Sequence, residues 1–201
     1  MRSGCSPRRT LAVALCTLLL LGTSWPTSAA EPNRLTAVLL VARAKLPDPN
    51  FEDSVVLALN ELGPGPVGII TNRPTKIPVS RLFPELKRLA SVHDKVYFGG
   101  PVELDTVWFL FRAAKRPKNS IPACEGVFLS ADKDLLLKLL GRQKPMDGLR
   151  IFIGHSGWAP GQLEAEIGHG DWTLKRAEAD AIFNGKPEHP FPSTENPENG
   201  A

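Results

Sequence analysis

The run Leu149-Arg-Ile-Phe-Ile-Gly-His-Ser-Gly-Trp-Ala-Pro-Gly-Gln-Leu-Glu-Ala-Glu166 carries three structural signals in succession. The apolar residues 149–153 predict a buried strand. Gly154-His155-Ser156-Gly157 predicts a tight glycine turn, crowded enough at Gly157 that Gly157→Val would destabilise the fold. Pro160 then predicts a short helix, because proline's missing N–H would have had no partner at the first helical position. Glu164 and Glu166 would lie near the helix start, where the macrodipole favours negative charge. Strand, turn and helix N-terminus form a geometry suited to an anion or an oxyanion.

Working back from this run, Leu35-Thr-Ala-Val-Leu-Leu-Val-Ala42 predicts a strand buried on both faces. Pro47-Asp48-Pro49 stops it, and Phe51 is expected to tuck beneath the next element. Residues 54–59 and 67–71 predict two strands, joined through Gly63-Pro-Gly-Pro66 as an antiparallel hairpin. Asn72-Arg73-Pro74 ends the second of them. Leu82, Phe83, Leu86 and Leu89 recur at helical spacing, and Pro84 divides them into two short helical pieces. Strands are expected over 95–98, 106–111 and 127–129, with a sharp backbone turn at Gly99-Gly100-Pro101 and a basic surface loop over 115–122. Ser130-Ala-Asp-Lys-Asp134 predicts a capped helix over 132–140, closed by Gly141. A last strand over 171–175 carries Trp172, and a last short helix covers 177–183. Most links are too short for repeated βαβ crossovers. The expected fold class is α+β: a single domain with a mixed, mostly antiparallel sheet and short flanking helices.

The two ends read differently from this domain. Arg2, Arg8 and Arg9 precede an apolar run over 11–21 and a small-residue site, Ser28-Ala-Ala30. That pattern describes a secretory signal peptide over residues 1–30, its apolar run too short to remain as a bilayer span. An uncleaved anchor is the competing reading. The chain has 24 basic and 21 acidic side chains, and residues 1–30 hold three of the arginines and no acid, so the rest is formally neutral. A balanced domain lacks the basic footprint of non-specific nucleic-acid binding. The expected location is periplasmic or secreted, with no membrane span after cleavage. Cys124 alone survives processing, so no intramolecular disulfide is expected. Residues 185–201, rich in Pro, Glu, Asn and Gly, predict a disordered tail beyond a domain over 31–184.

Candidate chemistry centres on Ser156. A hydrolase would place it on a strand-to-helix elbow of pattern Gly-x-Ser-x-Gly, but in Gly154-His-Ser-Gly-Trp158 the second glycine comes one position early. His155 is adjacent in sequence, while His93, His169 and His189 sit in no recognisable catalytic setting. The competing reading is that Ser156 fills a crowded turn. A metal site drawn from His155, Glu164, Glu166 and His169 forms no compact set, because residues two apart on a helix diverge. No metal and no cofactor are therefore expected. Trp158 reads as a core anchor with ligand stacking as the alternative. Arg73 reads as the structural partner of Glu164 or Glu166, with anion binding as the alternative.

The motifs that follow one another in this order resemble the AlgH/YqgE family of small bacterial proteins of uncharacterised function. They are Leu39-Leu-Val-Ala42, Asp48-Pro49-x-Phe51 with Ser54-Val55, Gly68-Ile-Ile-Thr-Asn72-Arg73-Pro74, Gly99-Gly-Pro-Val102, and Gly157-Trp158-x-Pro-Gly161-Gln162-Leu163-Glu164-x-Glu166. The resemblance spans residues 35–183 and implies a complex single-domain α+β fold. It carries a nominal role in regulating alginate synthesis but no catalytic residues. Relatives often have Tyr where this chain has His155 and Ala where it has Ser156, which speaks against a shared serine nucleophile. The expectation is an exported, non-enzymatic binding or regulatory protein whose partner is an unidentified protein or small molecule. A hydrolase using Ser156 is the alternative. The candidate ligand surface combines Asp48, Asn72, Arg73, Gly99, Gly100, Gly157, Trp158, Gln162 and Glu164.

Overall fold

A computed structural model of the chain describes residues 37–43, 46, 48–59 and 65–184. The signal peptide expected over 1–30, residues 60–64 and the tail expected over 185–201 lie outside the described residues. All the described residues belong to one compact unit. Its strands are β1 (Ala37–Ala42), β2 (Val55–Leu59), β3 (Val67–Ile70), β4 (Pro74–Pro78), β5 (Lys95–Phe98), β6 (Val102–Arg112), β7 (Ile121–Cys124), β8 (Val127–Ser130), β9 (Leu149–Gly157) and β10 (Trp172–Arg176). Its helices are α1 (Val79–Leu82), α2 (Lys133–Leu140), α3 (Gln162–His169) and α4 (Ala179–Phe183), with single 3-10 turns at Pro49–Phe51 and Lys87–Ser91.

The fold is α+β, a curled and mostly antiparallel sheet with a few short helices. Its strand order is β10-β1-β2-β3-β9-β6-β8-β7, with β5 joined to β9 and β4 to β5. The apolar run that begins β9 explains its central place. One edge of β9 carries β6, from Val107↔Ile153 to Phe111↔Leu149. The other carries β5 in parallel, at Tyr97↔Phe152 and Phe98↔Ile153, and then β3 antiparallel, at Gly68↔Ser156 and Val67↔Gly157. Three strands therefore meet along β9, and both halves of the sheet depend on it.

Side chains alternate along the strands between an inner and two outer cores. Leu39, Leu57, Leu59, Ile69, Leu110, Leu129 and Phe152 fill the inner core, capped by Ile182 of α4. Phe109, Phe111, Leu149 and Ile151 face outward beneath α1 and α2, against Val79, Leu136 and Leu140. Leu40, Val56, Ala58 and Ile70 face outward at the other end, beneath Trp158, Leu163 and Trp172. The expectation that the first strand is buried on both faces is met, since Leu39 and Leu40 enter different cores. Asp132 caps α2 as anticipated, its carboxylate accepting the Leu135 N–H at 2.8 Å.

Several boundaries differ from expectation. The glycine turn at 154–157 is instead the second half of β9, kinked at Gly154 where φ is +67°. Pro160 does not open the helix, because Gly161 follows it in the left-handed region (φ +80°) and α3 starts at Gln162. β4 and β7 were hidden by Pro74, Pro78 and Pro122. Each is tolerated because these strands hold a single partner, β5 and β8 respectively, and proline lacks only a donor that an edge strand does not use. β6 begins four residues early, in an exposed segment where Glu103 takes a positive φ of 49°.

Candidate functional site

The β5–β9 crossing is built from backbone. Gly99 donates its N–H to the Ile153 carbonyl at 2.9 Å and accepts the Ile70 N–H at 2.8 Å. The Ser156 hydroxyl adds a third bond, donating to the Gly99 carbonyl at 3.3 Å. Gly100 has φ +150°, and a Cβ there would stand 2.3 Å from the His155 carbonyl oxygen. A Cβ at Gly154 would stand 2.3 Å from the carbonyl oxygen of Gly100. Only glycine allows two backbones this close.

Ser156 is sealed in this crossing, with 0% of its surface exposed. The His155 ring lies against Trp108, with centroids 5.9 Å apart, and its Nδ1 is 3.8 Å from a Glu103 carboxylate oxygen. His93 and His169 are exposed, and His189 lies outside the described residues. A serine that donates to a backbone carbonyl, out of contact with solvent, has neither an activating base nor room for substrate.

Asn72 and Arg73 form a brace. Both are buried, at 8% and 6% exposed. The Arg73 guanidinium donates to the Asn50 carbonyl at 2.5 Å and to the carbonyl of Glu52. Asn72 donates to the Asp53 carbonyl at 2.8 Å and accepts the Val55 N–H at 2.9 Å. Burial pushes the Arg73 pKa below its ordinary value, while the nearby Asp53, Glu52 and Asp48 carboxylates act in the opposite direction. The anticipated pairing of Arg73 with Glu164 or Glu166 is therefore replaced by carbonyl contacts that hold the 48–55 loop in place. Asp48 begins that loop, its carboxylate accepting the Asn50 N–H at 2.8 Å.

The braced loop, the end of β9 and the start of β10 enclose a cleft of about 400 Å³. Phe51, Trp158 and Trp172 supply its aromatic wall. The Phe51 and Trp158 rings stack at 6.0 Å with an interplanar angle of 23°, and Trp172 meets both edge-on. The Trp158 ring packs over Gly68, where a Cβ would come within 2.8 Å of it. One Glu166 carboxylate oxygen accepts both indole N–H groups, from Trp158 at 2.9 Å and from Trp172 at 2.8 Å. The other accepts the Gln162 amide at 2.9 Å, and Gln162 in turn accepts the Ala159 N–H at 3.0 Å. A buried indole N–H needs a partner, and here a single carboxylate serves two.

Of the anticipated ligand surface, Asp48, Gly157, Trp158 and Gln162 line the cleft. Gly99, Gly100, Asn72 and Arg73 lie behind it in the framework. Glu164 is exposed on α3 and outside the lining, its place taken by half-buried Glu166 one turn on from Gln162. Trp158 is the core anchor that the sequence suggested, and it also forms part of the cleft wall. The expected crowding at Gly157 belongs to Gly100 and Gly154 instead: nothing lies within 4 Å of a Cβ at Gly157. Among the described residues the cleft lining includes the acidic residues Asp48, Glu166 and Asp171 and no lysine, arginine or histidine. Among the described residues no three His, Cys, Asp or Glu side chains are grouped to hold a metal ion.

Sequence reasoning passed over Arg150. Burial pushes its pKa down, and it donates to the carbonyls of Thr71 at 3.0 Å, Ile182 at 2.5 Å and Phe183 at 2.9 Å, stacked 4.4 Å above Tyr97. A cation at the C-terminal end of α4 complements the helix dipole. The visible signal was one arginine inside the apolar run 149–153.

Three comparisons bear on identity. The AlgH-like family model (DUF179) matches residues 39–194. A UPF0301 protein of Streptomyces avermitilis is 36% identical over 167 residues, covering 79% of this chain and 83% of that protein. A UPF0301 protein of Marinomonas sp. is 34% identical over 151 residues, covering 72% and 79%. The solution structure of AlgH from Pseudomonas aeruginosa superposes with a TM-score of 0.62 at 26% identity, covering 79% of this chain and 85% of that one. The crystal structure of protein DIP2367 from Corynebacterium diphtheriae gives a TM-score of 0.58, also at 26% identity, over 73% and 78%. The five ordered motifs, the curled sheet and these matches agree, and the chain belongs to the AlgH-like, UPF0301 family, whose function is uncharacterised.

Proposed function

We propose that this chain is a non-enzymatic binding or regulatory protein, exported to the bacterial envelope, and that the Trp158–Trp172 cleft is its ligand surface. One observation carries this reading. The one serine suited to a nucleophile's role is sealed and bonded to a carbonyl, while the open concavity beside it is aromatic, with its polar groups held in fixed positions. Ligand sites are characteristically concave and largely apolar, with a few placed polar groups and volumes of about 300–1,000 Å³. Export rests on the pattern of residues 1–30, and no helix among the described residues is long and apolar enough to cross a membrane.

The purified protein is to be assayed against ester, amide and phosphoester panels and, separately, screened for ligands by tryptophan fluorescence. No turnover together with a saturable fluorescence change is the expected result. Turnover lost in Ser156→Ala would establish the hydrolase alternative, and a ligand screen without any specific response would refute the binding role. Export is tested by the N-terminus of the protein recovered from envelope fractions, which is expected at Glu31.

A further inference from the structure

We infer that the cleft takes an organic cation, an ammonium group carried on an apolar body; the inference rests on the reading of the cleft as the ligand surface. Among the described residues its lining includes three acidic residues, Asp48, Glu166 and Asp171, and no lysine, arginine or histidine. No ion pair joins any of the three to a lysine, arginine or histidine among the described residues. Arg43 meets the Asp171 corner through its backbone N–H, 2.9 Å from the Asp171 carbonyl, and its exposed guanidinium lies beside Gly170, 4.0 Å from where a Cβ there would stand, without lining the cleft or pairing with Asp171.

Glu166 makes the case specific. It is half-buried, and its three donors are two indoles and an amide, all neutral. Hydrogen bonds of this kind fix where the carboxylate points without cancelling its charge. Concave walls of low dielectric concentrate such a field, so one sign of charge accumulates in the cleft. Phe51 is partly exposed and packs against both Trp158 and Trp172, the two indoles that Glu166 accepts. Aromatic groups beside carboxylates recognise ammonium ions through the ring quadrupole as well as by charge. Pro101 and Val102, the latter 40% exposed, add an apolar rim on the opposite side. A bare divalent ion is a poor match, because the three acidic residues form no ligand group among the described residues.

The test varies charge on one ring system: phenethylammonium, neutral phenethyl alcohol and anionic hydrocinnamate, titrated into the purified protein. The readout is the indole N–H resonances of Trp158 and Trp172, which report directly on the Glu166 bonds, with Trp108, which lies outside the lining, as the internal control. Phenethylammonium is expected to shift Trp158 and Trp172 saturably and leave Trp108 unmoved. Binding should weaken with added salt and fall on the order of five-fold in Asp48→Asn/Asp171→Asn. A parallel arm with Nα-acetyl-lysine N-methylamide assigns the source: tighter binding than the free amine places the ammonium on a protein side chain, and weaker binding places it on a small molecule. Equal or tighter binding of the alcohol or hydrocinnamate would overturn the cation while leaving the cleft a binding site. Unchanged affinity in the double variant would likewise overturn it. Silence of both indoles towards every probe would remove the binding role as well.

Discussion

The two halves of the run 154–166 lie side by side and behave in opposite ways. From Gly154 to Ser156 the chain is pressed against Gly99 and Gly100, backbone on backbone, with the one hydroxyl sealed inside. From Gly157 to Glu166 it opens onto a cleft, and its polar groups point at one another across an aromatic wall. The first region has no freedom to accommodate a substrate. The second has space, charge and positioned side chains. A glycine-rich motif can therefore serve the framework while the segment that follows it lines the neighbouring cleft.

The contrast gives a graded set of expectations. Gly100→Val places branched carbons where the His155 carbonyl already stands, at a positive φ, and is expected to cost about 4 kcal/mol or more and yield little folded protein. Thermal denaturation and yield of soluble protein measure this. By contrast Gly157→Ala, with open space around its Cβ, should lie within about 0.5 kcal/mol of the parent. Similar losses for the two would erase the distinction between the regions.

Glu166→Leu leaves two indole N–H groups without their acceptor, for an expected loss of about 2–4 kcal/mol. Glu166→Gln keeps an acceptor oxygen and should recover most of that stability, as chemical denaturation would show. Arg73→Lys removes a forked donor that reaches two carbonyls at once, and a lysine ammonium cannot reproduce that geometry. It is expected to cost about 1.5–3 kcal/mol and to raise hydrogen exchange in the 48–55 loop ahead of β9. Uniform exchange across both would show that the brace does not act on the cleft. Ser156→Ala is a small change, comparable to Gly157→Ala: one 3.3 Å bond is lost, for about 1 kcal/mol or less, with ligand response intact.

How far the sequence reveals this arrangement depends on which interactions are local. The apolar runs 149–153, 37–42 and 55–59 and the Asp132 cap announce themselves because their cause lies within a few residues. β4 and β7 are not legible, since their prolines are acceptable only where a neighbour is missing, and that is a property of the sheet. The same limit applies to the site. Trp158 and Gln162 stand out in the glycine-proline motif, but nothing near Trp172 or Asp171 tells that they complete the same cleft. Arg73 and Glu166 were natural partners by charge. The fold separates them and satisfies one with carbonyls and the other with indoles.

Comparing Ser156→Ala with Glu166→Gln in one ligand-screening assay tests the central claim most directly. If the cleft and not the serine is the working surface, Ser156→Ala binds and fluoresces like the parent, while Glu166→Gln stays folded and loses its ligand response. A folded Glu166→Gln with full response, beside a Ser156→Ala that has lost turnover or binding, would contradict the account.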